Sequence, residues 1–235
     1  MKRKIIIGLA GAAGSGKDTV ASMINCIYKY GASASYSKWV EFKNNIDAYK
    51  NIYHFADNVK KCLSIIFNID VNVFNDRKYK DEYFYVLNER RFIDYNQANK
   101  YYFIIENSDL IQEDLSYYIF HHPKSCIKLR TLMQYFATDI CRKYLDDDIW
   151  VNSTLNKAVE NSHFKDISII ADVRFANEAS ALRYRQRGIV IKLNRNVAKL
   201  NHSSEKINFE CDYEVENNGS LQQLFYKILE IIQKL

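Results

Sequence analysis

A cluster of glycines near the N-terminus constrains the fold of this chain more than any other feature of the sequence. The 235 residues include only seven glycines, and four of them, Gly8, Gly11, Gly14 and Gly16, fall within nine consecutive positions. Because glycine adopts backbone conformations that other residues disfavour, such a cluster marks a segment that bends sharply or closely approaches another group. The apolar run Ile5–Ala10 leads into this segment, and its β-branched residues predict a strand buried on both faces.

The segment that follows this strand fits the pattern of a phosphate-binding loop. Gly11–Lys17 matches G-x-x-x-x-G-K, and the apolar spacing of Thr19–Tyr30 predicts a helix directly behind it. In such a loop the backbone N–H groups and the helix N-terminus face the phosphates, while the lysine supplies a mobile cation. The alternative is a glycine-rich turn without a ligand. The predicted donor-binding residues of the loop are Gly11, Ala13, Gly14, Ser15, Gly16, Lys17, Asp18 and Thr19.

One position of the loop departs from the usual pattern. The serine or threonine that normally follows the lysine and binds Mg²⁺ is replaced by Asp18, with Thr19 next in the chain. Either Asp18 binds the metal, directly or through water, or Thr19 takes that task. The sequence predicts a magnesium site here and leaves these alternatives open.

A second candidate site is an acidic strand end in the C-terminal half. The apolar run 167–171 predicts a buried strand that ends at Asp172, and Arg174 follows two residues later. In phosphate-loop enzymes an acid in this position helps to hold Mg²⁺ or to orient the attacking group. Ligands of open α/β sheets bind at the carboxyl ends of the strands. The alternative is an exposed ion pair at the entry to the next helix.

Strands alternate with helices along most of the chain. Short apolar strands are predicted at 5–10, 52–56, 167–172, 189–193 and 213–215. This alternation predicts an α/β fold, a parallel sheet of about five strands flanked by helices. Residues 70–125 are instead polar and rich in tyrosine and asparagine. They are interpreted as an insertion or substrate-side subdomain within a single domain, 1–235.

The composition excludes several classes of protein. Hydrophobic residues make up 48% and charged residues 26% of the chain, as in globular rather than disordered proteins. No apolar run reaches the roughly 18 residues of a membrane span, so no membrane partner is expected. The net charge of +5 suits an anionic substrate but is too weak for a stable nucleic-acid partner. Five cysteines without a C-x-x-C pair indicate reduced thiols and a cytoplasmic protein.

Several of these segments together resemble the phage-type deoxynucleoside monophosphate kinases. The resemblance is strongest in Gly16–Ala21 and Asp172–Glu178, and it covers nearly the whole chain except residues 70–125. The G-K-D form of the loop is the usual one in this family. The further matching segments are Phe55-Ala56-Asp57 with Lys60, Arg130 with Gln134, Thr138-Asp139, Arg142, Asp148-Ile149-Trp150, His202-Ser203-Ser204-Glu205, and Asp212-Tyr213 through Asn218-Gly219-Ser220-Leu221.

The resemblance implies a P-loop kinase-type sheet within a single kinase domain, 1–235, and a reaction between two nucleotides. Members of this family transfer the γ-phosphoryl group of ATP to a deoxynucleoside monophosphate in the presence of Mg²⁺, and they tend to form homodimers. The implied catalytic residues are Lys17, Asp172, Arg130 and Arg174. Among them, Arg130 is favoured as the clamp on the acceptor phosphate and Arg174 as the transition-state cation. The implied acceptor-binding residues are Asp57, Lys60, Arg130, Gln134, Thr138, Asp139, Arg142, Trp150, Asp172 and Glu178.

The acceptor pocket carries its own alternatives. Trp150 is predicted to stack on the acceptor base, and the alternative is a core side chain that begins the next helix. An α-helix through this region places Arg130, Gln134 and Thr138 on one face. Ala137 stands where the family often has glycine, and it narrows the room beside the nucleotide. Acceptor specificity is the property that this departure affects.

A lid is predicted over residues 195–210. Arg195 and Lys199 in this loop resemble the lid of nucleoside monophosphate kinases, which closes over ATP and excludes water. The alternative is a solvated surface loop. His202 is expected to order the loop rather than to act as a base. Ala176, where the family often has proline, is the second departure from the family pattern.

Two other functions compete with the kinase of this resemblance. One is a P-loop kinase for another anionic acceptor, such as phosphomevalonate or dephospho-coenzyme A, because the G-K-D loop alone does not exclude it. The other is a protein that binds ATP without turning it over. The Asp172–Glu178 run and the Trp150 segment favour a nucleotide acceptor. An intact Lys17, Asp172 and Arg174 favour turnover.

Overall fold

The computed structural model describes residues 5–106, 121–160, 167–196 and 207–235. The chain forms two compact units, Met1–Phe55 together with Val151–Leu235, and Ala56–Trp150. The segment 70–125 lies within the second unit, and its assignment as a substrate-side insertion in a single kinase domain stays a prediction. Among the described residues, no helix is both long enough and apolar enough to cross a membrane.

The described residues contain short strands and mostly short helices. The strands are β1 (Ile5–Ala10), β2 (Ile52–Tyr53), β3 (Tyr83–Val86), β4 (Arg91–Asp94), β5 (Phe103–Ile105), β6 (Ser125–Lys128), β7 (Ile167–Val173), β8 (Ile189–Asn194) and β9 (Tyr213–Glu216). The helices are α1 (Lys17–Tyr30), α2 (Tyr36–Phe42), α3 (Ala56–Phe67), α4 (Arg77–Glu82), α5 (Tyr95–Tyr101), α6 (Leu129–Gln134), α7 (Ile149–Glu160), α8 (Ala176–Ser180) and α9 (Leu221–Gln233). Wider π-helical segments, Tyr135–Leu145 and Ala181–Arg185, continue α6 and α8. Single 3₁₀ turns lie at Gly31–Ser33 and Ile46–Tyr49.

The first unit is built on a five-stranded parallel sheet. Its strands lie in the order β2-β7-β1-β8-β9, and each neighbouring pair is parallel. The order places β1 at the centre of the sheet, beside β7 and β8. The predicted α/β fold with a P-loop kinase-type sheet of about five strands is confirmed.

Both faces of β1 are covered, which explains its continuous apolar pattern. Ile7 and Leu9 are fully buried in one cluster with Val20 of α1. The opposite face carries Gly8, where a Cβ would lie 2.6 Å from Cδ1 of Leu182. The first glycine of the N-terminal cluster therefore serves close packing of the π-helical segment against the strand, whereas the glycines after it belong to the loop.

The second unit contains a mixed sheet that the sequence did not reveal. Its order is β4-β3-β6-β5, with β3 antiparallel to both neighbours and β5 parallel to β6. Phe84, Val86 and Ile93 form the centre of its apolar cluster. Each strand has only three or four residues. Over so short a run, the alternation of apolar and polar side chains repeats at most twice, and it does not stand out from the polar residues around it.

The helix predicted after residue 128 changes its winding halfway. It is α-helical only to Gln134, and Tyr135–Leu145 continues as a π-helix. The expectation that Arg130, Gln134 and Thr138 share a face assumed about 3.6 residues per turn throughout. A π turn closes its hydrogen bonds one residue later than an α turn, so the winding differs from that assumption beyond Gln134, and the shared face stays a prediction.

Candidate active site

Positive backbone φ angles shape the loop after β1. Gly11 has a φ of 149° and Gly16 a φ of 96°, values that residues with a Cβ rarely adopt. Steric space also excludes a side chain at position 11, since a Cβ on Gly11 would lie 2.8 Å from the carbonyl oxygen of Leu193. Backbone geometry and close contact therefore both require glycine at these two positions.

The lysine of the loop lies across it. The Lys17 side chain is buried, and its Nζ donates hydrogen bonds to the carbonyl oxygens of Gly11 at 2.6 Å and Ala12 at 2.8 Å. Lys17 also begins α1, where the Val20 N–H donates to the Gly16 carbonyl at 2.9 Å. The positive end of the helix dipole and the ammonium group thus meet at one loop, an arrangement that favours phosphate anions.

Asp18, the unusual residue of the loop, is paired with a histidine that the sequence did not single out. Its Oδ1 lies 2.8 Å from Nε2 of His54, the residue directly after β2, and its side chain is 71% exposed. His54 lies within the predicted strand 52–56, and no residue pattern marks it as a site residue. The contact links the start of α1 to the end of β2.

The loop carries donor atoms that suit magnesium. The carboxylate of Asp18 and the hydroxyl of Thr19 are hard oxygen ligands of the kind that Mg²⁺ prefers. Within the described ranges, no three or more His, Cys, Asp or Glu side chains form a ready-made metal cluster. An ion that is bound through one or two protein oxygens, waters and substrate phosphates does not need one, so the residues present fit Mg²⁺.

Asp172 lies at the carboxyl end of β7, next to the strand that leads into the loop. It is 8% exposed, and its Oδ1 accepts a 2.7 Å hydrogen bond from the Phe55 N–H. Its neighbour Val173 is in register with Ala10, the last residue of β1. The pairing of β1 and β7 therefore brings Asp172 to the level at which the glycine loop begins.

Glu178 organises the turn that carries Arg174. The side chain is 2% exposed, and its Oε2 accepts hydrogen bonds from the backbone N–H groups of Arg174 at 2.7 Å and Phe175 at 3.1 Å. These contacts are those of a residue that fixes backbone at the start of α8. The assignment of Glu178 as an acceptor-binding residue stays a prediction. Its observed hydrogen bonds fix the backbone of Arg174 and Phe175.

Arg195 contacts the loop from the end of β8. Its Nη1 donates a 3.3 Å hydrogen bond to the carbonyl oxygen of Gly14, and the residue is exposed. Of the predicted lid, 195–210, residues 197–206 lie outside the described residues, and with them Lys199 and His202. The contact with Gly14 supports a donor-side position for Arg195, and the lid itself stays a prediction.

In the second unit, Arg130 is held by a carboxylate that sequence reasoning missed. Asp81 Oδ1 lies 2.8 Å from Nε of Arg130 and 2.7 Å from its Nη2. Asp81 belongs to α4, in the tyrosine-rich segment for which no helix was predicted, and 49 positions separate the two residues. The carboxylate fixes one edge of the guanidinium, which is the planar group best suited to a phosphate.

Three of the remaining predicted acceptor residues of the second unit, Asp57, Lys60 and Arg142, contact one another or nearby backbone. Lys60 Nζ lies 3.2 Å from Oδ1 of Asp57 within α3. The Arg142 guanidinium is 6% exposed and donates a 2.9 Å hydrogen bond to the Asp147 carbonyl, so it holds the turn after the π-helix. Half-buried side chains in this helical stretch are Gln134, Thr138 and Asp139.

Trp150 has the contacts of a core side chain. It is 5% exposed, its indole N–H donates a 3.0 Å hydrogen bond to the Ala137 carbonyl, and its ring lies 6.2 Å from that of Phe136. Buried indoles usually find such a partner for their N–H group. This geometry favours the core alternative that the sequence left open, and stacking on a base stays a prediction.

The thiols of Cys26 and Cys126 are buried and do not act as nucleophiles near neutral pH. Burial raises the pKa of Cys26 to about 11 and that of Cys126 to about 12. Both groups are therefore protonated and neutral near pH 7, where the thiolate is the reactive form.

The predicted residues are divided between the two units. The first unit carries the glycine loop with Lys17, Asp18, Thr19, Asp172, Arg174, Glu178 and Arg195. The second unit carries Asp57, Lys60, Arg130, Gln134, Thr138, Asp139, Arg142 and Trp150.

Comparison with known proteins identifies one family. The family model described as deoxynucleotide monophosphate kinase matches residues 4–228, which include described parts of both units. The chain is 27% identical over 208 residues to the deoxynucleoside-5′-monophosphate kinase of Escherichia phage T5, with 76% of this chain and 72% of the relative covered. The resemblance read from the loop and from the Asp172–Glu178 run is confirmed. With its phosphate-binding loop on a five-stranded parallel sheet and a family match over nearly its whole length, the chain belongs to the deoxynucleotide monophosphate kinase family.

Proposed function

We propose that the chain transfers the γ-phosphoryl group of ATP, bound with Mg²⁺, to the 5′-phosphate of a deoxynucleoside monophosphate, which yields ADP and a deoxynucleoside diphosphate. The kinase activity toward deoxynucleoside monophosphates follows from the family and from the phage T5 relative. The single observation that supports ATP as the phosphoryl donor is the geometry of the glycine loop. Its positive-φ glycines, the N-terminus of α1 and the Lys17 ammonium meet at one place, which is the arrangement that binds a polyphosphate.

The reaction joins two anions, so the role of the protein is to supply positive charge and alignment. Lys17 exchanges its carbonyl contacts for oxygens of the donor phosphates. Arg130 binds the 5′-phosphate of the acceptor, and Arg174 stabilises the charge on the group in transfer. The attacking oxygen is largely deprotonated near neutral pH because the second pKa of a phosphate monoester is about 6. A general base is therefore unnecessary.

Asp18 and Thr19 would hold the magnesium ion, with Asp172 at the neighbouring strand end. When bound, Mg²⁺ neutralises charge on the donor phosphates. The contact of Asp18 with His54 keeps its carboxylate at the start of α1. The contact of Asp172 with the Phe55 N–H keeps the second carboxylate at the end of β7.

One coupled assay tests this function against its competitors. The purified chain is incubated with Mg²⁺, ATP and each deoxynucleoside monophosphate in turn, and ADP release is measured. We expect turnover with at least one deoxynucleoside monophosphate. Turnover only with phosphomevalonate or dephospho-coenzyme A would select the other P-loop kinases, and no ADP with any acceptor would leave only nucleotide binding.

We predict that Arg130→Ala raises the acceptor KM by about 10- to 100-fold, because a charge-assisted contact contributes about 1.5–3 kcal/mol. Arg130→Lys should recover little of this loss. A lysine has a single ammonium group, so it cannot bind Asp81 as the Nε and Nη2 atoms of Arg130 do and also offer the planar donor pair of a guanidinium to a phosphate. Steady-state kinetics at saturating ATP measures the effect. An unchanged acceptor KM in the alanine variant would contradict the assignment.

We predict that Trp150→Ala lowers the free energy of unfolding by about 3–5 kcal/mol, since it empties a buried site and removes the indole donor from Ala137. Urea denaturation measures this loss. The control is Tyr144→Ala in the preceding π-helical segment, where the side chain is 71% exposed and the loss should stay within about 0.5 kcal/mol. A stable Trp150→Ala variant with a raised acceptor KM would instead favour base stacking.

A further inference from the structure

Two carbonyl groups of the glycine loop are bound by side chains from the far end of the chain. Besides the contact of Arg195 with Gly14, the Nδ2 of Asn217 donates a 2.8 Å hydrogen bond to the carbonyl oxygen of Ser15. The two partners of the second contact are 202 positions apart. Asn217 is 7% exposed and Ser15 is fully buried, so this hydrogen bond is shielded from competing water.

The sheet holds Asn217 in place. Its backbone N–H donates a 2.8 Å hydrogen bond to the carbonyl oxygen of Asn194, the last residue of β8. The residue before it, Glu216, ends β9 and is in register with Asn194. The position of the Asn217 side chain is thus set by the pairing of two strands rather than by a loose loop.

Gly16 allows this contact to form. A Cβ on Gly16 would lie 2.8 Å from Nδ2 of Asn217, closer than real Cβ atoms approach a heavy atom. The carboxamide therefore occupies the space that a side chain at position 16 would fill. Gly16, the second glycine of the G-x-x-x-x-G-K pattern, and Asn217 therefore pack directly against each other.

The direction of the contact matters for phosphate binding. In a trans peptide the carbonyl of one residue and the N–H of the next point in opposite directions, and the described residues contain no cis peptide bond. Because Asn217 binds the Ser15 carbonyl, the Gly16 N–H points away from Asn217. We therefore expect it to be one of the N–H groups that the loop presents to a phosphate.

We propose that Asn217 is a positioning residue for the phosphoryl donor, which orients the Ser15–Gly16 peptide so that the loop binds the donor phosphates. This role rests on the proposed function, since it treats the loop as the polyphosphate site. Asn217 acts through the backbone of the loop, and its removal leaves the acceptor-binding residues of the second unit unchanged.

The test compares Asn217→Ala with Asn218→Ala. Asn218 is the adjacent exposed asparagine, and its side chain contacts Glu216 and Asn196 but no described residue of the loop. We expect Asn217→Ala to raise the Kd of ADP, measured by calorimetry, and the KM of ATP by about 5- to 10-fold, the size of one shielded hydrogen bond. In Asn217→Ala the KM of the acceptor should stay within about 2-fold of the wild-type value. In Asn218→Ala the Kd of ADP, the KM of ATP and the KM of the acceptor should all stay within about 2-fold.

A second variant keeps the test decisive if the alanine variant folds poorly. Asn217→Asp preserves size and the backbone contact with Asn194 but replaces the donor with a carboxylate, so its Kd for ADP should rise at least as much. A purely structural role would lower the fraction of competent protein, seen as calorimetric stoichiometry, and leave Kd unchanged. Wild-type Kd values in the folded variants would overturn the role of Asn217. No ADP binding by the wild-type chain would overturn the proposed donor site instead.

Discussion

Lys17→Ala should lower kcat by about 10³-fold or more, the largest effect that we expect from any single substitution. Lys17 is the cation of the loop, and removing one preorganised donor from a developing phosphoryl charge already costs about 10²–10³-fold in rate. Its ammonium is buried and bound only 2.6 Å from the Gly11 carbonyl, so no other side chain replaces it without rearrangement. ADP release in the coupled assay at saturating ATP and acceptor measures the loss.

The matched control for this prediction lies on the same helix. Lys29 carries the same charge in the last turn of α1, is 43% exposed and makes a 3.5 Å ion pair with Asp47. Lys29→Ala should leave kcat within about 2-fold, since an exposed ion pair contributes little. Calorimetry separates chemistry from folding, because a folded Lys17→Ala chain retains the unfolding profile of the wild type. A folded Lys17→Ala variant with near wild-type kcat would contradict the assignment of the loop.

Arg174→Ala should lower kcat by about 10³-fold with a small change in the KM values. An arginine that stabilises the charge of a phosphoryl group in transfer contributes about 10³–10⁵-fold. Arg174 follows Asp172 at the end of β7, and the buried Glu178 carboxylate binds its backbone N–H at 2.7 Å. The backbone that carries the guanidinium is therefore rigid, as preorganised charge stabilisation requires.

Arg185→Ala is the control for Arg174. Its side chain lies in the π-helical segment after α8 and donates a 3.0 Å hydrogen bond to Asn152 in an exposed contact, so its loss should leave kcat within about 2-fold. Adding guanidinium ions should restore part of the activity of Arg174→Ala and have no such effect on Lys17→Ala. If Arg174→Ala raises only the ATP KM, Arg174 binds the ground state and is not the transition-state cation.

The parts of the site that the sequence predicted are those in which neighbouring residues act together. The strand, loop and helix around Lys17 are contiguous, and their glycines obey conformational limits that act within one or two residues. Asp172 was found because it ends a largely apolar strand. Local reasoning also predicted a helix beyond Gln134 but not its change from α- to π-helical winding, which has no marker in the residue types.

Other site residues have no local signature at all. Asp81 reaches Arg130 across 49 positions, and His54 reaches Asp18 across 36. Aspartate and histidine are common on protein surfaces, and nothing in their immediate sequence distinguishes these two. Trp150 shows the converse case, since its place in a family segment favoured a ligand role, whereas its burial and its contact with Ala137 are those of the core.

By itself, the sequence determined the phosphate-binding loop, the alternation of strands and helices, and through them the family. These follow from φ limits, apolar periodicity and residue spacing, which are properties of short segments. Only the tertiary structure decided that Asn217 supports Ser15 from 202 positions away, that Asp81 holds Arg130, and that residues 83–128 contribute a second sheet. Such contacts depend on which strands pair and in which register, and pairing is a property of the whole folded chain rather than of any segment within it.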